Sequence, residues 1–300
     1  MTIHLEPVTA EFVAVARGID LSKPLDAQSM AEVVGALDKY AVVVFPDQPL
    51  SQDELVALAR QFGPLDSDLQ EKVLNHVQTR LKYNTISDIS NVDESGKVAD
   101  RDHKQSILNV GNQFWHSDSS YTHAPWRYSM LHSIHAVSRG GATEYADLRA
   151  AYDTLDQDLK ELIADKIGVF YSHHTRRWLG IEDTAHDLAA YPPVKWPLVR
   201  RHPGSGRQLL WVDNKVTDIV GMPVHEARAL VHELLEHIGQ REHVYAHYWK
   251  AGDLVIYDNR SCLHRGRRFD LTERREMRRI SVVETQEFSL GEESRPEKVV

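Results

Sequence analysis

The stretch Phe114-Trp115-His116-Ser117-Asp118-Ser119-Ser120 sets an imidazole and a carboxylate two residues apart in a setting that reads as strand. Side chains at i and i+2 of an extended chain leave the same face. His116 and Asp118 then point at one ion while Ser117 points away. A neutral imidazole with a carboxylate suits borderline and hard divalent metals, and two histidines plus one carboxylate, with positions left open, suit non-haem Fe(II). Alone, the pattern also fits an ordinary hydrogen-bonded strand pair, so the third ligand decides.

That ligand should be a histidine distant in sequence that follows a strand. His264 qualifies, since it comes after the β-branched and aromatic run Leu254-Val255-Ile256-Tyr257-Asp258 and the turn-like Asn259-Arg260. Beyond it lie Arg275 and Arg279, four residues apart and so on one face if their segment is a strand. An arginine fork matches a carboxylate bidentately. A metal with two inward arginines could therefore hold two carboxylate ligands.

Outward from these residues, the chain shows mixed helix and strand. Asp26 to Tyr40 has helical spacing and runs into the buried strand Ala41 to Phe45; Ser51 and Glu54 form a capping box before a helix that Gly63-Pro64 ends. Ile86 to Val92 alternates as a strand inside a polar segment, Asp66 to Val110, that reads as a surface loop or lid. Tyr128 to Val137 is a strand, Gly140-Gly141 a turn, Asp147 to Leu155 and Asp156 to Ile167 two helices. Val199 to Pro203 and Gln208 to Val212 flank a hairpin turn, Pro223 to Gly239 is a helix, and Arg278 to Glu284 ends the regular part before a polar tail from about residue 291.

Composition excludes several classes. The 300 residues, without a linker-like stretch, predict a single catalytic domain over 1–300. Lys and Arg total 35 against 44 Asp and Glu, a net charge of -9, which argues against nucleic acid or an anionic membrane as partner. Seven arginines between Arg265 and Arg279 are interrupted by Asp270, Glu273 and Glu276. A lone cysteine, Cys262, excludes an internal disulfide and fits a reducing compartment, and neither a signal peptide nor a span is visible. The expectation is a cytoplasmic chain with homo-oligomerisation left open. His232 and His237 sit five apart, about 140° around a helix, instead of the four a zinc-protease helix needs. Lys72 and Lys82 are candidate cations of the lid.

These pieces resemble the iron(II)- and 2-oxoglutarate-dependent oxygenases typified by taurine dioxygenase, nearest to the 2,4-dichlorophenoxyacetate dioxygenase branch. The likeness runs from about residue 40 to about 284. It is carried by Val43-Val44-Phe45-Pro46, Phe62-Gly63-Pro64-Leu65, Trp115 to Ser120, Gly140 to Glu144, Asp258-Asn259-Arg260, His264-Arg265 and Arg275. The resemblance implies a mainly β fold with flanking helices, a cupin-like double-stranded β-helix or jelly roll. It implies Fe(II) held by His116, Asp118 and His264, and 2-oxoglutarate held by Arg275 and Thr143, with O2 as the second cosubstrate. Arg279 and Asn112 take substrate positions. The implied reaction hydroxylates the carbon beside the ether oxygen of an aryloxyalkanoate such as 2,4-dichlorophenoxyacetate, a step of aromatic herbicide degradation. Its products are a phenol, glyoxylate, succinate and CO2. The same chemistry on a sulfonate or alkyl sulfate is one alternative; a non-catalytic cupin-like metal-binding protein or a zinc hydrolase is another.

Overall fold

The computed structural model describes residues 3–66, 80–100 and 104–285. In chain order its strands are β1 (His4–Pro7), β2 (Val13–Arg17), β3 (Val42–Phe45), β4 (Ile86–Asp88), β5 (Trp126–His135), β6 (Thr143–Asp147), β7 (Ile167–Phe170), β8 (Val194–Pro197), β9 (Val199–Arg201), β10 (Gln208–Leu210), β11 (Val216–Ile219), β12 (Val244–His247), β13 (Leu254–Asp258), β14 (Cys262–Gly266) and β15 (Glu276–Val283). Seven form one sheet in the order β1-β2-β3-β13-β5-β15-β4, and three form a second, β12-β6-β14. Strands β11-β7-β8 and the hairpin β9-β10 extend the second side.

Alternation along each strand decides what lies between these layers. Val43, Phe45, Met130, Leu254, Ile256 and Ile280 point outward from the large sheet onto Val33, Leu37, Leu55 and Leu58 of the helices Ala27–Tyr40 and Gln52–Arg60. Their neighbours Val42, Val44, Leu131, Val255, Tyr257 and Met277 point the other way and pack with Tyr145 and Cys262 of the second sheet. The outer residues of that sheet, Ala146 and Leu263, belong to one core with Leu230 and Leu234 of the helix Val224–Ile238. Each fully buried aliphatic side chain in these layers contributes on the order of 1.5–3 kcal/mol. The result is the jelly-roll sandwich with helices outside.

Local signals agree with the elements they predicted. Asp26 caps the first helix through the Ser29 amide at 2.7 Å. Ser51 and Glu54 complete the reciprocal box at 3.2 and 2.8 Å. Gly140 and Gly141 both adopt positive φ, 76° and 65°, in the turn before β6. The helices expected over 147–155 and 156–167 close at Thr154 and Ile163, because β7 claims Ile167 onward for its sheet.

Three expectations need correction. Phe114 to Ser120 is not a strand: it makes one isolated bridge, at His116, and then turns, with Ser119 at φ 56°. Strands β1 and β2 join the sheet that only residues 41–45 had marked near the N-terminus, since β2 runs parallel to β3 through a long-range register that local periodicity does not carry. Within the segment read as a loop or lid, the strand expected over 86–92 is present but closes at Asp88, and a helix, Lys104–Gly111, was not expected. Residues 67–79, with Lys72, and the tail from about 291 lie outside the described residues. No helix among the described residues is long and apolar enough to cross a membrane.

Candidate active site

His264 lies in β14, while His116 belongs to the loop opposite it. The two are tied backbone to backbone, His116 N to His264 O at 3.1 Å and His264 N to His116 O at 2.8 Å. This bridge brings the imidazole rings to 4.2 Å between centroids. Asp118 folds back beside them, with Oδ1 4.0 Å from His116 Nε2 and Oδ2 3.8 Å from His264 Nε2. The three side chains are buried, and one ligand atom from each lies within 4.8 Å of the others. The turn therefore achieves the convergence that an extended strand was expected to give.

The donor set fits a divalent ion. His116 Nδ1 donates to the Phe114 carbonyl at 2.8 Å, so Nε2 keeps its lone pair on the side of Asp118. Burial pushes His264 down to about 4. Burial, then His264 and Lys215, also hold His116 well below the usual imidazole range. Both rings are thus neutral, as metal ligands must be. Burial alone would raise the Asp118 carboxyl, but the Arg279 guanidinium beside it holds it well below the usual carboxylate range.

Asp118 is oriented by residues that sequence reasoning missed. Ser129 Oγ and Tyr257 Oη donate to its Oδ2 at 2.8 and 3.0 Å, and Asn259 Nδ2 donates to Ser129 Oγ at 2.9 Å. Asn259 also receives Ser117 Oγ on its carbonyl at 2.8 Å, while Asp213 receives Ser120 Oγ at 2.6 Å. Tyr257 ends the apolar run Leu254-Val255-Ile256, and Ser129 lies among other polar residues of β5, so both are recognised only once the strand's inner face is known. Asn259 and Asp213 act from turns, where sequence carries no comparable pattern.

Beside the triad lies a cavity lined by Thr143, Tyr257, His264, Arg275, Arg279 and Asn112, with Ile89, Leu131, Phe269 and Leu271 as apolar wall. Thr143, Arg275, Arg279 and Asn112 are therefore brought together as expected. Arg275 precedes β15, and a register shift between Glu276 and Met277 replaces the regular four-residue spacing with Arg279, yet both reach the cavity. Among the described residues, the Arg275 guanidinium donates to main-chain oxygens, Gly141 O at 3.3 Å and Ile89 O at 3.4 Å, and lies 5.5 Å from the centre of the Phe269 ring. Burial pushes its guanidinium down to about 10, and no ion pair joins it to a carboxylate among the described residues. A carboxylate ligand beside Thr143 would relieve that buried charge. Arg279 differs: its Nη1 donates to Asp118 Oδ1 at 2.6 Å.

Other candidates fall away from this centre. Lys82 pairs with Asp53 on the surface at 2.6 Å. His232 is exposed beside Glu236, and His237 donates to the Ala151 carbonyl at 2.8 Å. His243 and His247 are buried and hydrogen-bonded, to the His237 carbonyl at 3.0 Å and to Asp253 Oδ2 at 3.1 Å. Cys262 is buried and free. A second cluster, Asp38, His202 and Asp258, is already served by the guanidinium of Arg260, which bonds Asp258 at 2.6 Å and Glu284 at 2.8 Å.

A family model described as taurine catabolism dioxygenase TauD, TfdA family, matches residues 4–281. The chain belongs to the TauD, TfdA family. It is thus a dioxygenase-family enzyme. The alpha-ketoglutarate-dependent 2,4-dichlorophenoxyacetate dioxygenase of Cupriavidus pinatubonensis is 44% identical over 287 residues, 95% of this chain and 99% of the relative. The (S)-phenoxypropionate/alpha-ketoglutarate-dioxygenase of Sphingobium herbicidovorans is 33% identical over 91% of this chain and 92% of its own. A crystal structure of AAD-2 in complex with Mn(II) and N-oxalylglycine superposes with a TM-score of 0.91 at 38% identity, covering 96% of this chain and 100% of that one. These TauD, TfdA relatives match nearly the whole length, so the likeness includes both sheets and the loop that carries His116 and Asp118.

Proposed function

We propose that the chain is an Fe(II)- and 2-oxoglutarate-dependent dioxygenase that hydroxylates the carbon next to the ether oxygen of an aryloxyalkanoate. Iron would be held by His116, Asp118 and His264, and 2-oxoglutarate by Arg275 and Thr143. The observation that carries this reading is the buried guanidinium of Arg275, without a carboxylate partner among the described residues, in the same cavity as the triad. The likeness to the 2,4-dichlorophenoxyacetate enzyme supports the substrate class.

When bound, the metal and its cosubstrates supply the oxidising chemistry, and the chain supplies position and charge. Ser129 and Tyr257 fix the rotation of the Asp118 carboxylate. Arg275 and Thr143 select an anion of defined reach. The wall of Ile89, Leu131, Phe269 and Leu271 excludes water and accepts an aryl ring. Arg279 offers charge for a substrate carboxylate, and Asn112 a polar edge. With an aryloxyacetate, hydroxylation of the ether-bearing carbon gives a hemiacetal, which falls apart to a phenol and glyoxylate, with succinate and CO2 from the cosubstrate.

Succinate release from phenoxyacetate in the presence of Fe(II), ascorbate and O2 tests the proposal. Turnover of taurine or an alkyl sulfate in place of phenoxyacetate would move the substrate to that class. No turnover with any acidic substrate, together with tight zinc, would sink the oxygenase reading. We also propose one catalytic domain, supported by a sheet whose strands come from residues 4 to 283. A cytoplasmic location is supported by the buried free thiol of Cys262 and is checked by cell fractionation.

A further inference from the structure

We propose that Trp249 is a positioning residue for the cosubstrate: its indole N–H fixes the polarity of the Thr143 hydroxyl, so that the hydroxyl proton is presented to the cavity. The inference rests on the reading of Thr143 and Arg275 as the 2-oxoglutarate carboxylate site.

Trp249 follows β12 by two residues and packs, partly buried, against the cluster between the sheets. Its Nε1 donates to Thr143 Oγ1 at 3.0 Å. An indole N–H is donor only, whereas a hydroxyl has one proton and two lone pairs. Thr143 Oγ1 must therefore accept from Trp249, and its own proton remains available to an acceptor. Thr143 is flanked on both sides in the sheet, by His247 of β12 and Gly266 of β14. The cavity that Thr143 shares with Arg275 supplies the remaining direction.

The indole is held from behind. Its ring stands at 87° to the His247 imidazole, 4.4 Å between centroids. His247 Nε2 meets Asp253 Oδ2 at 3.1 Å, and the Lys250 amide donates to the same oxygen at 2.9 Å. A line of contacts thus runs from Asp253 through His247 and Trp249 to Thr143. It gives a carboxylate in the cavity two donors of fixed direction, one neutral and one cationic. Without the indole, the hydroxyl would be free to rotate and offer a lone pair to the carboxylate instead of a proton.

Calorimetric binding of 2-oxoglutarate to the Mn(II)-loaded protein tests this in a double-mutant cycle. Thr143→Val is expected to weaken binding roughly tenfold, the scale of one lost hydrogen bond. Trp249→Phe, which keeps an aromatic ring and removes only the N–H, is expected to weaken it about three- to tenfold. The double variant should bind no more weakly than Thr143→Val alone, and Mn(II) affinity should be unchanged throughout. Multiplying effects, or a Trp249→Phe variant that binds like the wild type beside a weakened Thr143→Val, would overturn the positioning role and leave the cosubstrate site standing. An unaffected Thr143→Val would overturn the cosubstrate site itself and the inference with it. Loss of Mn(II) along with 2-oxoglutarate in Trp249→Phe would also count against it, since the indole would then act through the whole fold.

Discussion

Arg275 and Arg279 share a residue type and a cavity but face different partners, and this separates their expected phenotypes. Arg275 has carbonyl oxygens and the Phe269 ring around it but no carboxylate among the described residues, so Arg275→Ala should weaken 2-oxoglutarate binding by roughly 10- to 100-fold, the scale of a charge-assisted hydrogen bond. The substrate requirement should change much less, as titrations of both ligands would show. Arg279 instead compensates the buried charge of Asp118. Arg279→Ala should raise the substrate requirement more than the 2-oxoglutarate requirement and also lower the stability of the metal-free protein by about 3–5 kcal/mol. Melting curves with and without Mn(II) should then lie further apart than in the wild type, because the ion takes over the compensation. His132 gives a pH dependence elsewhere in the molecule. It donates to the Gln48 carbonyl at 2.8 Å, and burial pushes it from 6.5 down to about 4. Below about pH 6.5 the unfolded chain takes up a proton that the folded chain refuses. Stability present above pH 6.5 is therefore lost on acidification, with about 2 kcal/mol gone between pH 7 and 5 and the loss complete near pH 4. Urea unfolding across that range should show a flatter profile for His132→Asn than for the wild type.

Among the elements, the turn between β5 and β6 is the one that both the sheet and the proposed cosubstrate pocket depend on. Gly140 has φ 76°, and an added Cβ would meet the Arg268 carbonyl oxygen at 2.4 Å, a backbone atom that cannot swing aside. Gly140→Ala should cost several kcal/mol, on the order of 2–4, through strain and overpacking together. It should also weaken 2-oxoglutarate binding, because Gly141 O and Thr143 follow directly. Equal affinity in the folded variant would show that the turn serves stability alone. That turn was legible because paired glycines mark left-handed backbone, and the helices were legible because caps and apolar spacing are local signals. Phe114 to Ser120 was misread for the opposite reason. Its shape is set by partners about a hundred residues or more away, Asp213, Asn259 and His264, and its Ser119 adopts a φ that serine rarely takes.

For the molecule as a whole, residue types revealed the triad and the two arginines, while register revealed what supports them. Ser129, Tyr257 and Trp249 are found only when one knows which strand lies beside which, and that pairing is a property of the complete sandwich. The Asp258-Asn259-Arg260 motif shows the same division. Asn259 orients the site, whereas Arg260 joins Asp258 and Glu284 in the interior. Arg260→Ala should cost about 3–5 kcal/mol in urea unfolding by leaving those carboxylates without their shared cation. The paired hydrogen bonds between His116 and His264 have a further consequence, for biosynthesis. A ribosome delivers His116 and Asp118 long before His264, so a nascent chain carries two thirds of the ligand set with nothing to close it. Under the proposed assignment, iron loading waits until β14 has left the exit tunnel and docked. Capture of the ion then reports that β14 has docked, and a chain stalled before that point has no complete centre with which to generate an oxidant.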